Sequence, residues 1–444
     1  MKKRSPPLMS VLLIILAVTV QILVTPKISG SPIRIALSDL ALPAVLAFLF
    51  IKWFRGDITF PKVPISHFWI WIGALSTWLF VSIIIGHQAQ GHWSIWATIN
   101  KGIGWIALLG YLLCGLWLAS YVQRREQEQS VECFLAFAAV SAIVSIILFV
   151  GYRVGVDLFW GEIENYSRPR GFAENTNAYS IMLVAALVGA MALYAERRIS
   201  FANWLPIMAM SLCAVVAFLA GSRSAFLGFV FGIVGLALLR RFRWKLLITI
   251  ILLSGTIVTS IYYGMMLTSA FKSSGVFTSI YTVDAFIDIN RKLGSDRHRL
   301  SNISTALDMW KEHPVFGIGL GTFYETQKNR PVVEGVVYNN PSVLHNTGIW
   351  ILTETGIIGV ILFASFFVCV AVRFFRLSRD DPGGVFPATG FCLMLVFMGA
   401  SVGTEVLYQR YFWFLIGVFL AGSVCSRSPS GEQAERHEIP RGVE

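Results

Sequence analysis

Apolar runs of roughly 17 to 25 residues recur along almost the whole chain, each long enough to cross a bilayer and each bounded by a polar segment. Twelve can be drawn, at 8–24, 33–54, 64–85, 95–122, 131–151, 177–195, 203–220, 224–240, 246–263, 346–372, 385–404 and 409–425. In hydrocarbon the backbone must satisfy its own polar groups, and runs this long and this apolar suit helices rather than barrel strands. The pattern predicts an all-α polytopic membrane protein with about twelve transmembrane helices, forming a single transmembrane domain over residues 1–425. Two polar stretches between runs are substantial, at 152–176 and 264–345. Within the second, Leu300, Ile303, Leu307 and Trp310 recur at helical spacing until His313-Pro314 ends the pattern. This predicts an amphipathic helix that lies on the membrane face or packs on the spans. No internal repeat is visible, so the inverted-repeat architecture of many transporters gains no support. Residues 426–444 are polar and lack aromatics, and read as a disordered tail.

Composition agrees with the pattern: 55% of the 444 residues are hydrophobic and only 14% charged, which leaves no room for a separate soluble domain larger than one loop. The net charge of +11 raises the question of nucleic acid, but most Lys and Arg sit in short loops rather than on a continuous basic face. They act instead as topology determinants. Starting from Lys2, Lys3 and Arg4, every second loop is basic, through Lys52 and Arg55, Arg124 and Arg125, Arg197 and Arg198, Arg240 to Lys245, and Arg373 to Arg379, ending in the tail with Arg427, Arg436 and Arg441. By the positive-inside rule both termini are expected to be cytoplasmic and the loops 152–176 and 264–345 to face outward. The first run follows a basic start as a signal peptide would, but no small-x-small site precedes Pro26, so an uncleaved helix is expected. The six cysteines form no CxxC pair, which indicates neither a disulfide framework nor a zinc site.

Outward loops should be poor in basic residues, yet these carry Arg153, Arg168, Arg170, Arg223, Arg297, Arg299 and Arg410. Arg223 lies in a hairpin so tight that its guanidinium must sit at the membrane boundary, where a charge needs a partner or a polar cavity. It pairs with Glu174 or Glu405, snorkels to lipid phosphates, or serves a site. A guanidinium binds two phosphate oxygens at once and stays charged in any surroundings, so Arg170, Arg223 and Arg299 at one membrane face suit a diphosphate whose lipid tail remains in the bilayer. His345 falls where the long loop re-enters the membrane, and an imidazole there can accept a proton from a sugar hydroxyl at neutral pH. The plain alternative is that His345, Asn346 and Thr347 cap the following helix, as Asn175 and Asn177 would cap theirs. Glu354 lies about 13 Å into its span by the helical rise, as an intramembrane carboxylate that is functional or pairs with an arginine. Gly317-Ile318-Gly319-Leu320-Gly321 has no strand before it and no Lys-Ser/Thr after it, and reads as a turn rather than a nucleotide loop. No His-rich or paired-Asp cluster points to a metal.

Three segments, in this order, resemble the O-antigen ligase and O-antigen polymerase superfamily of bacterial membrane glycosyltransferases. They are Arg170-Gly171-Phe172 with Asn175 and Asn177; Gly221-Ser222-Arg223-Ser224-Ala225 opening a span; and the stretch from Arg299 through Trp310, His313-Pro314-Val315-Phe316-Gly317 and Leu344-His345-Asn346-Thr347 to Glu354-Thr355-Gly356. The resemblance covers roughly residues 165–360 by motif and the rest by span count. It implies a C-type glycosyltransferase membrane fold in the bacterial inner membrane, with its active site on the periplasmic face. No cofactor or metal is expected, since arginines can replace the metal used by many other glycosyltransferases. The implied donor is an undecaprenyl-diphosphate-linked glycan. The acceptor is lipid A-core for a ligase, or a second lipid-linked glycan for an O-antigen or exopolysaccharide polymerase; the motifs do not separate the branches. Arg170, Arg223 and Arg299 would hold the diphosphate, His345 would activate the acceptor hydroxyl, and Asn177, Asn346 and Glu354 would support them. A transporter or flippase of the same lipid-linked glycan is the rival from another class. It predicts charges at mid-membrane depth with access from both faces, whereas these candidates cluster at the outer face.

Overall fold

The computed structural model describes residues 7–24, 27–28, 31–32, 35–153, 168–173, 175–195, 204–271, 289–328, 343–380 and 384–425. A helix occupies each of the twelve apolar runs. They are α1 (Pro7–Thr19), α2 (Leu37–Phe54), α3 (Phe68–Gln90), α4 (Gly104–Ser120) preceded by a π-helical turn at Trp96–Ile103, α5 (Arg124–Arg153), α6 (Thr176–Leu193), α7 (Trp204–Leu219), α8 (Arg223–Leu238) and α9 (Trp244–Phe271), followed after the long loop by α12 (Thr347–Asp380), α13 (Val385–Ser401) and α14 (Arg410–Cys425). The long loop contributes α10 (Ile289–Glu312) and α11 (Thr322–Lys328). Strand structure among the described residues amounts to two ladders of two residue pairs between α1 and α2. The chain is an all-α polytopic membrane protein: seven of its described helices are long and apolar enough to cross a membrane, and five more are apolar but shorter. Leu40, Ile106, Phe218 and Leu252 are largely exposed on these helices, as a lipid-facing surface requires.

Helices meet where small residues let backbones approach. A Cβ on Gly115 of α4 would come within 2.3 Å of the Phe414 carbonyl, and one on Gly417 of α14 within 2.4 Å of Leu112, so these two helices touch backbone to backbone. α6 is buried on all sides and forms the centre of the bundle, whereas α9 lies at the edge with little of it covered.

The amphipathic helix expected within the long loop is α10, and it packs on the spans: Leu300 is 65% exposed and Ile303, Leu307 and Trp310 are half-buried, while Asn302 and Ala306 are buried and the Ala306 carbonyl accepts from Thr353 Oγ1 of α12 at 3.2 Å. Small and polar side chains make the closest part of this contact. One expectation needs correction: helices overrun several apolar runs, with α5 starting at Arg124 and α12 continuing to Asp380, because charged residues extend a helix beyond the hydrocarbon. Residues 426–444, expected as a tail, and Glu174, a proposed partner of Arg223, lie outside the described residues.

Candidate functional site

His345 stands in the short segment that leads into α12, and the next two residues fix that segment to the turn between α13 and α14. Asn346 caps α12 by accepting from the Ile349 N–H at 2.9 Å, and its Nδ2 donates to the Val402 carbonyl at 2.9 Å. Thr347 Oγ1 donates to the Thr404 carbonyl at 2.8 Å and accepts from the Val406 N–H at 3.0 Å. Asn346 thus caps the helix, and His345 lines a cavity of about 50 Å³ with Asn175, Thr404, Glu405, Tyr408 and Arg410.

Behind this cavity lies an ion cluster. Lys101, in the π-helical turn, is buried and pairs with Glu405. Its ammonium sits 4.3 Å from the Trp350 ring centre, 4.5 Å from Tyr408 and 5.6 Å from Trp96, so three aromatic faces complete its surroundings. Glu354, buried one turn after Trp350, accepts from its indole N–H at 2.7 Å and also faces Lys101. The cation that answers Glu354 and Glu405 is therefore a lysine and not an arginine. Tyr408 donates to the Lys101 carbonyl at 3.1 Å; burial first, then Glu405 and Glu354, push its hydroxyl well above the ordinary tyrosine range, so it stays protonated. On the other side Arg410 grips Asp39 with two charge-assisted bonds, Nη2 to Oδ2 at 2.7 Å and Nε to Oδ1 at 2.8 Å, and Tyr111 donates to the same carboxylate at 2.7 Å.

The loops carrying the other candidates join the same end of the bundle. Arg168 Nε donates to the Ala220 carbonyl at 2.6 Å, tying the 168–173 segment to the α7–α8 turn. Gly171, with φ at +53°, sits against Tyr179, leaving no room for a Cβ, and holds half-buried Arg170 next to it in place. Asn175 caps α6 by accepting from the Asn177 N–H at 2.8 Å, and thereby sets Asn177 in the first turn. Arg223 is the exposed first residue of α8, after the N-cap Ser222, and Ser224 lies directly against Gly403, two residues before Glu405. Arg299 is half-buried on α10, seven residues before Ala306. The Ile357 N–H donates to Pro314 just beyond the end of α10, so α10 and the start of α12 run in the same direction and Arg299 lies toward the His345 end. Arg170, Arg223 and Arg299 do not line the cavity itself.

The glycine-rich segment after α10 is indeed a turn, but one wedged between α3 and α12. Gly356 (φ +67°, ψ −171°) breaks α12, and the carbonyls released by the break find new donors. Ile318 N–H donates to Thr353, Gly319 N–H and Ser82 Oγ to Glu354, and Trp78 Nε1 to Thr355, all between 2.8 and 3.1 Å. A Cβ on Gly319 would lie 2.1 Å from the Gly86 nitrogen, so only glycine permits this contact. The wedge fixes the depth and direction of Glu354 and Trp350. Among the described residues, no three His, Cys, Asp or Glu side chains are grouped as a metal would need.

The bundle is thus that of a polytopic membrane protein with a half-open polar site at one end, rimmed by arginine-bearing loops and backed by a buried ion cluster. Residues 208–364 match the family model for O-antigen ligases, so this stretch of the chain is similar to the O-antigen ligase superfamily, and the match supports a ligase- or polymerase-type glycosyltransferase function. The matched region takes in Arg223, Arg299, His345 and Glu354; Arg170, Asn177, Lys101 and Glu405 lie outside it. No curated protein matches the chain. Sequence reasoning missed Lys101, whose signal was a lone lysine inside the apolar run 95–122, and offered Glu405 to Arg223, whereas Glu405 pairs with Lys101.

Proposed function

We propose that the protein transfers a glycan from undecaprenyl diphosphate to a sugar hydroxyl of lipid A-core at the periplasmic face of the bacterial inner membrane. The observation that carries this reading is His345 lining a polar cavity whose neighbouring loops bear Arg170, Arg223 and Arg299. The ends gathered there are the outward ones by the alternation of basic loops, which supports a periplasmic site with both termini cytoplasmic. His345 removes the proton from the acceptor hydroxyl as its oxygen attacks the anomeric carbon, and the bond from that carbon to the diphosphate oxygen breaks. The electron pair leaves with undecaprenyl diphosphate, and the three guanidinium groups offset the charge that develops on it. Asn346 fixes the segment that carries His345, Asn177 supports the Arg170 segment by donating its N–H to the Asn175 cap, and Glu354 orients Trp350 and Lys101 behind Glu405. Because guanidinium groups neutralise the leaving group, transfer is expected to persist in the presence of a chelator.

The direct test is a transfer assay with detergent-solubilised protein, where transport has no meaning. Product formed from purified lipid-linked donor and lipid A-core supports the ligase; product formed only with a second lipid-linked glycan shifts the assignment to a polymerase. No product with either acceptor, alongside donor exchange in reconstituted vesicles, contradicts the enzyme and favours a flippase.

A further inference from the structure

Beside the ion cluster, away from His345, lies a group of aromatic and amide side chains that no step above uses. It is built from the end of α3, the 91–95 turn and α11. The Trp93 indole stacks on His87 with ring centres 4.1 Å apart and planes 6° from parallel, yet Trp93 remains 56% exposed, so its other face is open. Trp96 stacks on Tyr324 of α11 at 4.3 Å and 12°, and Ser94 Oγ donates to Glu325 at 2.7 Å, which holds α11 against the turn.

Among the described residues, five buried polar atoms in this group have no hydrogen-bond partner: both amide atoms of Gln90, His87 Nδ1, Thr322 Oγ1 and Gln327 Nε2. Thr322 is itself more than nine-tenths buried. Native proteins rarely leave such atoms unsatisfied, and several together mark a place where water or a ligand completes the bonding. Their chemistry is selective. Amides and a hydroxyl both donate and accept, as sugar hydroxyls do, and an open indole face accepts the C–H side of a sugar ring. None of the five is a cation, which separates this group from the arginine-bearing loops suited to phosphate. Trp96, 5.6 Å from the Lys101 ammonium, links it to the Lys101–Glu405 pair at the cavity.

We propose that α3, the 91–95 turn and α11 form a saccharide subsite, with the Trp93 indole supporting a sugar ring and Gln90, Thr322 and Gln327 binding its hydroxyls. The proposal rests on the glycan-transfer reading, since it names where part of the glycan lies. In the plain alternative Trp93 is an interfacial anchor and the orphan atoms hold water.

The test is calorimetric titration of the full chain in detergent with three probes: the lipid-free oligosaccharide released by mild acid from the host's diphosphate carrier, lipid-free core oligosaccharide, and farnesyl diphosphate. One of the two saccharides is expected to bind, and its identity tells donor from acceptor. Trp93→Ala should weaken that binding about tenfold and Gln90→Ala about fivefold, while Trp93→Phe stays near wild type and farnesyl diphosphate binds all variants equally. Saccharide binding unchanged in both alanine variants, or no saccharide binding by the wild type, overturns the subsite. Tryptophan-dependent saccharide binding without farnesyl diphosphate binding leaves the subsite standing and removes the lipid-diphosphate reading.

Discussion

Two sets of cations stand around the site at different depths. Lys101 and Arg410 are buried or nearly so, each held by a carboxylate, Glu405 and Asp39. Arg223 is exposed at the start of α8, and Arg170 and Arg299 are half-buried. A buried ion pair has already lost its water, so removing one partner strands the other at a high cost, whereas an exposed guanidinium gives up little stability when changed. The inner set should therefore report on folding and the outer set on catalysis.

Lys101→Met breaks the inner set most severely, because Glu405 and Glu354 lose their shared cation, and about 3–5 kcal/mol of stability should go with it. Thermal unfolding in detergent reads this, and adding Glu405→Leu should restore much of the loss, since an apolar pair removes the stranded charge. Arg223→Lys tests the outer set: it keeps the charge but loses the bidentate fork, and transfer should fall roughly 10- to 100-fold with the unfolding temperature unchanged. If Arg223→Lys unfolds the protein instead, the division between the two sets collapses. Arg410→Lys belongs between them, surrendering one of two bonds to Asp39 and about 1.5 kcal/mol of stability. Asn346→Ala should be the mildest, losing the cap of α12 and about 1 kcal/mol, with transfer lowered only as far as His345 loosens.

The apolar runs revealed the twelve helices of the bundle, because bilayer-length hydrophobicity is a local property that needs no partner to be recognised. Loop arginines, His345 and the α7–α8 hairpin were visible for the same reason: each breaks a local rule. What depended on tertiary partners was not legible. The most buried positions of α10 are Asn302 and Ala306 rather than the exposed Leu300, since close helix contacts here favour small side chains. Lys101 meets Glu405 across 304 residues, and no periodicity announces a π-helical turn. The Gly317–Gly321 segment was recognisable as a turn, but its insertion between α3 and α12 depends on Gly86 and Gly356, distant in sequence and each permitting close backbone contact.

The central claim is that His345 is the base that activates the acceptor. It is tested most directly by His345→Ala, assayed for glycan transfer with purified donor and acceptor. The account predicts a loss of about 10²- to 10⁴-fold in rate, with unfolding temperature and farnesyl diphosphate binding unchanged because Asn346, not His345, caps α12. Full transfer activity in that variant would contradict it.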